Sequence, residues 1–304
     1  METRTMKIGM IGLSPGNGHP FSFSAIINGY DPFHLQTSGW PQIYRYVRMR
    51  DRSEFGFPGA RITHAWTPDP HVTRKLCQAC LIPYPVNDLH ELIDCVDAVI
   101  VARDDPESHY PIARPFLEAG IPAFVDKPLT LSAEELEWFE PYLRRGLLMS
   151  CSGMRYAREL DPVRAGWDAF GEIKLIRGTV VNGWEKYGVH VLEAIESLPI
   201  PKPRSVQSLA AGHEAMMLHC GPVTVQIDAL GKVPPLFRLD LFGTLKHATV
   251  DIVDHFSMFR RMLWRFLRLC REKKAAIPAE STVTIMNVLR AGRLSLASGR
   301  RIDL

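Results

Sequence analysis

Short apolar runs alternate with helix-forming segments over the first half of the chain. Residues 98–101 read AVIV, a continuous apolar run typical of a strand that is covered on both faces. Ser132 and Glu135 have the spacing of a capping box, which predicts the start of a helix. Strands are predicted at 7–11, 32–36, 61–66, 98–101 and 123–125, and helices at 21–28, 88–93, 111–118 and 132–143. This alternation predicts a doubly wound parallel sheet with helices on both faces.

The pattern changes after about residue 151. Strand-like segments then follow one another, and the only helix predicted among them is at 188–197, which indicates a mainly antiparallel sheet. These strands are predicted at 174–181, 223–229, 237–242 and 247–253, and two final helices at 257–273 and 281–297. The predicted fold class is therefore α/β followed by α+β. We place the first domain at 1–128 and the second at 129–304, and we allow the last helix to pack back on the first domain.

The composition is that of an ordinary globular protein. The 304 residues are 46% hydrophobic and 23% charged, with a net charge of +3. A chain of this length buries roughly 75% of its unfolded surface, so it needs neither disulfides nor a metal to fold. The near balance of charge argues against a nucleic-acid partner, because a basic binding face would raise the net charge.

The sequence predicts a cytoplasmic protein with reduced thiols and no membrane partner. The opening METRTMKIGMIGL has too short an apolar run for a secretion signal, and no run of 18 apolar residues predicts a membrane span. Cys77 and Cys80 form a C-x-x-C without a second pair at zinc spacing, so no metal site is predicted. The basic stretch 259–274 has apolar positions at helical spacing. We interpret it as a packed helix with a solvated basic face rather than a membrane-binding or partner-binding segment.

A glycine-rich loop follows the first predicted strand, where dinucleotide-binding folds place backbone N–H groups against a pyrophosphate. It runs from Gly12 to His19 as GLSPGNGH. The loop departs from G-x-G-x-x-G because Ser14 replaces the second glycine and the third falls at Asn17, with Gly18 beside it. Three glycines within seven residues still permit close approach of a ligand to the backbone. A plain turn is the alternative interpretation of this loop.

The sequence leaves the choice between NAD and NADP open. An acidic residue about 20 positions after the loop usually binds the adenosine ribose, but the predicted second strand ends in Gln-Thr-Ser at 36–38. Arg45, Arg48 and Arg50 offer positive charge for a 2′-phosphate, although a solvated helix face explains them better.

The stretch 97–132 resembles the Gfo/Idh/MocA oxidoreductases. It reads as a strand, a loop containing His109, a helix ending in Ala-Gly, and a strand closing in Asp126-Lys127-Pro128, where the family has Glu-Lys-Pro. In the second half, GVHVLE at 188–193 is similar to the family's Gly-x-His-x-x-Asp helix, and AGRLSLASGRRIDL at 291–304 is similar to its last helix. The resemblance therefore covers essentially the whole chain.

This resemblance implies a Rossmann domain that binds NAD or NADP and an open-faced antiparallel sheet that forms the substrate site. It implies hydride transfer to or from a carbinol or carbonyl carbon of a sugar, cyclitol or sugar nucleotide. The implied partners are a sugar-like small molecule and further copies of the chain, as a homo-dimer or tetramer. The residues expected at the cofactor are Gly12, Leu13, Ser14, Gly16, Asn17, Gly18, His19, Ala102, Arg103, Asp104, His109, Asp126, Lys127 and Pro128. For Asp104, Asp105 and His109, capping of the loop is an equal alternative.

Lys127 and His190 are the predicted catalytic residues. Lys127 follows a predicted strand at the edge where open α/β sheets bind ligands, and a lysine of lowered pKa can take the proton of a hydroxyl group. The resemblance also implies a cis bond before Pro128. His190 can accept or relay the proton near neutral pH, with Glu193 one helical turn away to orient the imidazole. We expect Lys127 and His190 to meet at one cleft beside the nicotinamide ring.

The family's aspartate four residues before this histidine is absent. Lys186 occupies that position, and Glu185 is a substitute if the register shifts. Arg155 and Tyr156 are candidate substrate-binding residues, although an ion pair between the domains is an alternative for Arg155. Two other functions stay open. Ser14 in the loop and Lys186 in the relay favour a non-catalytic relative that binds a ligand or acts as a scaffold. A cofactor-retaining epimerase or lyase is the third possibility.

Overall fold

Six parallel strands form the sheet of the first half of the chain. They are β1 (Met6–Ile11), β2 (Ala60–Trp66), β3 (Tyr84–Pro85), β4 (Ala98–Val101), β5 (Ala123–Val125) and β6 (Leu148–Met149). Their order across the sheet is β3-β2-β1-β4-β5-β6. All four residues of β4 are buried, as its continuous apolar run predicts. This is the strand order of a Rossmann fold, in which ligands bind at the carboxyl ends of the strands near β1 and β4.

The helices of this half are α1 (His19–Asn28), α2 (Pro32–Gln36), α3 (Pro41–Val47), α4 (Pro70–Ala79), α5 (His109–Glu118) and α6 (Ala133–Arg144). The predicted capping box of α6 is half formed: Ser132 Oγ accepts from the Glu135 N–H, whereas the Glu135 carboxylate accepts from Thr130 instead. The predicted strand at 32–36 is wrong, because Asp31 caps α2 and Pro32 occupies its first turn. The predicted helix at 88–93 is a short 3₁₀ turn at Leu89–Leu92.

A second sheet of seven strands is mostly antiparallel, with one parallel pair, β7 and β10. Its strands are β7 (Ile173–Val180), β8 (Ser205–Leu209), β9 (Glu214–Cys220), β10 (Val223–Ala229), β11 (Phe237–Gly243), β12 (His247–Asp251) and β13 (Ile302–Asp303). The later helices are α7 (Asp161–Ala165), α8 (Val189–Glu196), α9 (His255–Glu272) and α10 (Ala279–Ser298). One face of the sheet is covered by α8 and α10: a Cβ on Gly178 would lie 2.1 Å from Val191, and the Ser208 N–H donates to Ser295 at 2.7 Å.

The predicted fold class is confirmed, with a Rossmann sheet followed by an α+β unit. The computed structural model describes residues 4–304, and contacts divide the chain into two units. The first runs to Cys151 and includes Phe259–Ala279, and the second contains Ser152–Met258 and Glu280–Leu304. The first unit extends past residue 128 because β6 pairs with β5. Helix α9 belongs to the first unit from Phe259 onward, and α10 belongs to the second unit from Glu280 onward.

None of the helices within residues 4–304 is both long and apolar enough to cross a membrane. The prediction about a secretion signal falls partly on residues 1–3, which lie outside the described residues. The six cysteines are free thiols. Burial raises the pKa of Cys77 to about 12 and that of Cys80 well above its usual value. Both cysteines of the C-x-x-C pair therefore stay in the unreactive thiol form near neutral pH.

Candidate functional site

Hydrogen bonds join the loop after β1 to the loop after β4 at the carboxyl edge of the parallel sheet. Ser14 Oγ donates to Asp104 Oδ1 at 2.6 Å and accepts from the Asp104 N–H at 3.0 Å. Arg103 Nη1 donates to the carbonyl oxygen of Leu13 at 2.8 Å. A glycine at position 14 would lack the hydroxyl group. The serine that replaces the second glycine of the pattern therefore provides two of the hydrogen bonds between these loops.

Asp126, at the end of β5, fixes the glycine-rich loop from the other side. Its Oδ1 accepts from the Lys127 N–H at 2.8 Å, and its Oδ2 lies 2.5 Å from His19 Nδ1 and 3.2 Å from Asn17 Nδ2. Burial by itself would raise the pKa of this carboxyl. The charge and hydrogen bond of His19, with the Lys127 charge, outweigh burial and hold the pKa at about 2. Asp126 is therefore an ionised anchor for the loop.

Lys127 is buried at this edge, with 4% of its surface exposed. Its Nζ lies 4.0 Å from Asp104 Oδ2, and the Asp104 side chain is only 8% exposed. The Lys127–Pro128 peptide bond is cis, as the resemblance implies. The edge thus presents a buried lysine side chain next to a carboxylate, beside the glycine-rich loop.

The hydrogen bonds of His109 agree with a structural role, and its predicted contact with the cofactor stays a prediction. Its ring is fully buried, and its two nitrogens lie 2.9 Å from the carbonyl oxygens of Leu129 and Arg103. It therefore braces the β4 loop against the segment after Lys127. Asp105 pairs with the Arg103 guanidinium at 2.7 Å, and its side chain makes no capping hydrogen bond to the 3₁₀ turn Pro106–Ser108.

The glycine-rich loop fits a dinucleotide at its tip and less well at the start of α1. Gly16 has φ +78°, and a Cβ there would meet no atom within 4 Å, so a phosphate can approach the backbone. At the helix start, the Asn17 N–H donates to Ser14 O at 3.1 Å, the His19 N–H donates to Asn17 Oδ1 at 2.8 Å, and Pro20 has no N–H. The segment 14–16 is therefore the part of the loop that would hold the phosphates.

Two of the predicted cofactor glycines also allow close packing, and their contact with the cofactor stays a prediction. A Cβ on Gly12 would lie 2.3 Å from Pro20 Cγ, and one on Gly18 would lie 2.6 Å from Ile43 Cδ1. These glycines let α1 and α3 approach the loop closely. Ala102 and Pro128 are buried as well, and their predicted contacts with the cofactor stay predictions.

In this fold the acidic residue that binds the adenosine ribose follows the second strand. Because residues 32–36 form a helix, the second strand is β2 and the residue is expected after Trp66. Asp69 is the acidic residue nearest that strand end, and it caps α4 by accepting from the His71 N–H at 2.8 Å. Arg48 stacks over Tyr44 with 5.7 Å from its guanidinium to the ring centroid. Arg50 lines a cleft with Gly29, at the carboxyl end of α1 and the opposite edge of the sheet. Arg45 and Arg48 are exposed, in agreement with the solvated alternative, whereas Arg50 is half-buried and lies 3.6 Å from Glu54.

In the second unit, Ser152 is the observed partner of His190. Ser152 Oγ lies 2.7 Å from His190 Nδ1 and also accepts from the Met154 N–H at 3.2 Å. The imidazole is flanked by the rings of Tyr187 and Phe237, at centroid distances of 5.4 and 5.8 Å. Sequence reasoning missed Ser152, because 38 residues separate it from His190 and no motif marks it.

The predicted orientation of His190 by Glu193 is wrong, because Glu193 pairs with Arg155. The Arg155 Nε donates to the Glu193 carboxylate, and their side chains are 10% and 2% exposed. Burial raises the pKa of Glu193, and the Arg155 charge opposes that rise only in part. Arg155 is therefore engaged in a buried ion pair within the second unit, and Tyr156 follows it in the same 3₁₀ turn, Gly153–Tyr156.

Glu185 does not take the place of the missing aspartate. It lies in a π-helical turn, Trp184–Gly188, that precedes α8, and its carboxylate is 3.6 Å from Arg293 Nε. Lys186 is exposed in the same turn. The buried Trp184 fixes the turn, since its indole N–H donates to Leu289 O at 3.0 Å. A π-helical turn is a common feature of functional sites.

Lys127 belongs to the first unit and His190 to the second. Their predicted meeting beside a nicotinamide ring stays a prediction. Across residues 4–304, no group of three or more His, Cys, Asp or Glu side chains is placed to hold a metal ion.

Comparison with known proteins finds a family model that matches part of the first unit. Residues 43–140 match the family model described as the oxidoreductase family with an NAD-binding Rossmann fold, Gfo/Idh/MocA. The predicted resemblance is confirmed over those residues. The description of that family names NAD, one of the two cofactors that the sequence predicts.

Individual relatives are distant. YceM of Salmonella typhimurium, to which an oxidoreductase activity is provisionally assigned, is 27% identical over 134 residues. The aligned part is 44% of this chain and spans about a third (34%) of the length of that curated relative.

Solved structures share the fold along the whole chain. An apo scyllo-inositol dehydrogenase from Lactobacillus casei is 13% identical, with a TM-score of 0.76 and coverage of 100% of this chain and 99% of that one. GenD2 from gentamicin A biosynthesis, solved with NAD, is 16% identical, with a TM-score of 0.74 and coverage of 100% and 97%. At this identity the likeness establishes the fold.

Proposed function

We propose that this chain is an NAD- or NADP-dependent dehydrogenase or reductase acting on the CH–OH group of a sugar, cyclitol or sugar nucleotide. The observation that carries the proposal is the buried Lys127, paired with Asp104 at the carboxyl edge of a Rossmann sheet. Open α/β sheets bind their ligands at this edge. A buried ionisable group with a specific charged partner there is a candidate catalytic group.

The dinucleotide, when bound, supplies or accepts the hydride, with its phosphates at segment 14–16. The chain manages the proton. In the reductive direction, the Lys127 ammonium donates a proton to the oxygen of the carbonyl group as negative charge develops on it. In the oxidative direction, the neutral amine takes the proton of the hydroxyl group. Asp104 holds the ammonium in place at 4.0 Å, and Asp126 fixes the backbone N–H of the lysine.

We assign His190 to the same reaction as a proton relay, with Ser152 holding the imidazole. Because Ser152 Oγ accepts from the Met154 N–H, its own hydroxyl group can donate to His190 Nδ1, which places the single N–H proton of the neutral imidazole on Nε2. This arrangement uses a neutral hydroxyl group where the family has a carboxylate. The approach of His190 to Lys127 is part of the proposal.

A polyhydroxylated ring is the substrate class that the relatives support. The scyllo-inositol dehydrogenase with the same fold acts on a cyclitol by its name. We place the reaction in the cytoplasm, where free thiols such as the six in this chain persist.

We also propose a homo-dimer or tetramer built on the second sheet. Helices α8 and α10 cover one face, while the opposite face presents half-buried side chains such as Leu175 and Met217. A second copy of the chain would cover this face. Light scattering should then show a mass of at least twice 34.3 kDa, and Met217→Asp should shift it toward the monomer. A wild-type monomer would contradict this assembly.

The test of the reaction is turnover of a panel of cyclitols, sugars and sugar nucleotides with each oxidised dinucleotide, followed at the nicotinamide absorbance. Lys127→Ala should lower kcat by about 10²- to 10⁴-fold, the usual contribution of a positioned acid–base group. Lys127→Arg should not restore it, since arginine does not release its proton. Lys75→Ala, on the exposed face of α4, is the matched control. Full turnover by Lys127→Ala would contradict the proposal.

Two observations favour a second candidate, a non-catalytic relative that binds a ligand. The N–H groups of Asn17 and His19 are already engaged at the start of α1, and the relay aspartate is replaced by Lys186. That protein would bind the dinucleotide or a sugar without turnover of any substrate in the panel. A cofactor-retaining epimerase or lyase would convert substrate with no net change of nicotinamide absorbance.

A further inference from the structure

One helix carries a larger net positive charge than the whole chain. Residues 255–274 contain seven Lys and Arg and one Asp or Glu, so this segment alone carries +6, whereas the whole chain carries +3. The rest of the chain is therefore net acidic. Helix α9 forms most of this segment and belongs to the first unit from Phe259 onward.

Helix α9 has an apolar inner face and a basic outer face. The inner side chains, including Met262, Leu263, Phe266 and Leu267, are at most 1% exposed. We call the outward side chains, which recur at helical spacing, the basic face: Arg261, Trp264, Arg265, Arg268, Arg271 and Lys274. The apolar side of α9 is buried in the core of the first unit, so it is not available to insert into a membrane. The basic face is therefore the part of α9 that a partner can contact.

A tryptophan stands in the middle of the basic face. Trp264 is 41% exposed. The guanidinium groups of Arg265 and Arg268 lie 5.3 and 5.0 Å from its ring centroid, within the range of cation–π interactions. An exposed indole among arginines matches a bilayer surface, where tryptophan sits at the level of the headgroups and guanidinium groups bind phosphates.

The basic face continues onto the end of α6. A Cβ on Gly146 would lie 2.6 Å from the backbone of Lys274, so the ends of the two segments adjoin. Arg145, beside Gly146, stacks over the ring of Tyr142 at 4.7 Å. The cationic surface is therefore broader than one helix.

We propose that the basic face docks the protein on the surface of a bilayer containing anionic phospholipids. The arginines bind headgroup phosphates and Trp264 enters the interfacial layer, while the helix stays packed in the first unit. The complementarity of charge favours an anionic surface, and the exposed indole distinguishes a lipid interface from a purely polar partner. This interpretation departs from the solvated face that the sequence alone favoured.

The test is sedimentation of the full chain with vesicles of 30% phosphatidylglycerol in phosphatidylcholine, and with vesicles of phosphatidylcholine alone. The wild type should bind the anionic vesicles, bind neutral ones far less, and dissociate in 0.5 M salt because screening is then strong. Arg265→Gln with Arg268→Gln should weaken binding about tenfold or more, since each cation near such a surface contributes about 1 kcal/mol. Trp264→Ser should weaken it independently of salt.

Arg45→Gln with Arg48→Gln is the matched control, since it removes two exposed arginines near α3, one of them stacked on a tyrosine. It should leave vesicle binding unchanged. Circular dichroism confirms folding, and Arg265→Gln alone serves if the double variant unfolds. Equal binding to neutral vesicles, equal loss in the control, or binding to polyuridylate without binding to vesicles would each overturn the proposal.

Discussion

Asp126 Oδ2 and His19 Nδ1 lie 2.5 Å apart, although 107 residues separate them in the chain. The contact joins the end of β5 to the start of α1, on either side of the glycine-rich loop. Asp126 also accepts from the backbone N–H of Lys127. The carboxylate that replaces the glutamate of the family's Glu-Lys-Pro motif therefore sets the position of both the loop and the proposed catalytic lysine.

Asp126→Asn should destabilise the protein in a pH-dependent way. The pKa of about 2 in the folded state lies below the ordinary value of 3.8. Ionised Asp126 therefore contributes stability, roughly 2 kcal/mol, that is fully present above about pH 4 and is lost as the pH falls through about 2. Urea unfolding at pH 7 and pH 2.5 should show a large difference between variant and wild type at the first and a smaller one at the second.

Asp168→Asn, an exposed change in the second unit, is the control for that experiment and should have little effect at either pH. A loss of stability in Asp126→Asn that is the same at both pH values would show that the contact acts through shape rather than charge.

The elements that the sequence predicted are those whose signals are local. The apolar run of β4 and the Ser132 cap of α6 depend only on neighbouring residues, and both are present. Residues 32–36 were ambiguous by pattern, because PFHLQ is too short to show a period. Asp31 followed by Pro32 is a typical start of a helix, and this signal was present in the sequence. Asp69 followed by Pro70 is the same signal at the start of α4, a helix that was not predicted.

The candidate site was predictable in its positions but not in its contacts. Lys127 was identified from a motif and from the end of a strand. The partners of Asp126, His190 and Arg155 lie tens of residues away and are brought near by folding alone. No single-sequence pattern encodes such pairs. That is why His190 was assigned to Glu193, its helical neighbour, rather than to Ser152.

The buried ion pair of Arg155 and Glu193 should be strongly coupled. Replacing either residue by alanine should lower the free energy of unfolding by about 3–5 kcal/mol, because the remaining charge is buried without its partner. Arg155→Met with Glu193→Leu should recover most of that loss. The exposed pair of Arg114 and Glu118 on α5 is the matched control and should show little coupling. Additive effects at Arg155 and Glu193 would contradict the buried pair.

Ser152→Ala should alter the imidazole of His190. Loss of the hydroxyl group removes the hydrogen bond at Nδ1, so the ratio of the two neutral tautomers should change in the nitrogen spectrum of labelled histidine. His190→Gln assigns the resonance. Turnover should fall about tenfold, the equivalent of one hydrogen bond, and Ser152→Thr should restore both readouts. An unchanged tautomer ratio would show that Ser152 does not hold the ring.

Ser14→Gly should restore the family's glycine and loosen the junction between the loops after β1 and β4. Two hydrogen bonds to Asp104 are lost, so the free energy of unfolding should fall by about 1–3 kcal/mol. Ser53→Gly is the control, since its hydroxyl group bonds only locally to an exposed Asp51. A variant as stable as the wild type would show that Ser14 is dispensable for this junction.

The central claim is that the first unit holds a nicotinamide dinucleotide at segment 14–16 with Lys127 at its reacting end. Isothermal titration of the purified chain with NADH and NADPH tests it most directly. We predict one site per chain with a dissociation constant of about 1–100 μM for at least one of the two. Binding should be several-fold weaker in Gly16→Val, because the valine side chain would occupy the space at the loop tip through which the phosphates approach. The absence of heat with both dinucleotides, in protein shown to be folded, would contradict the account.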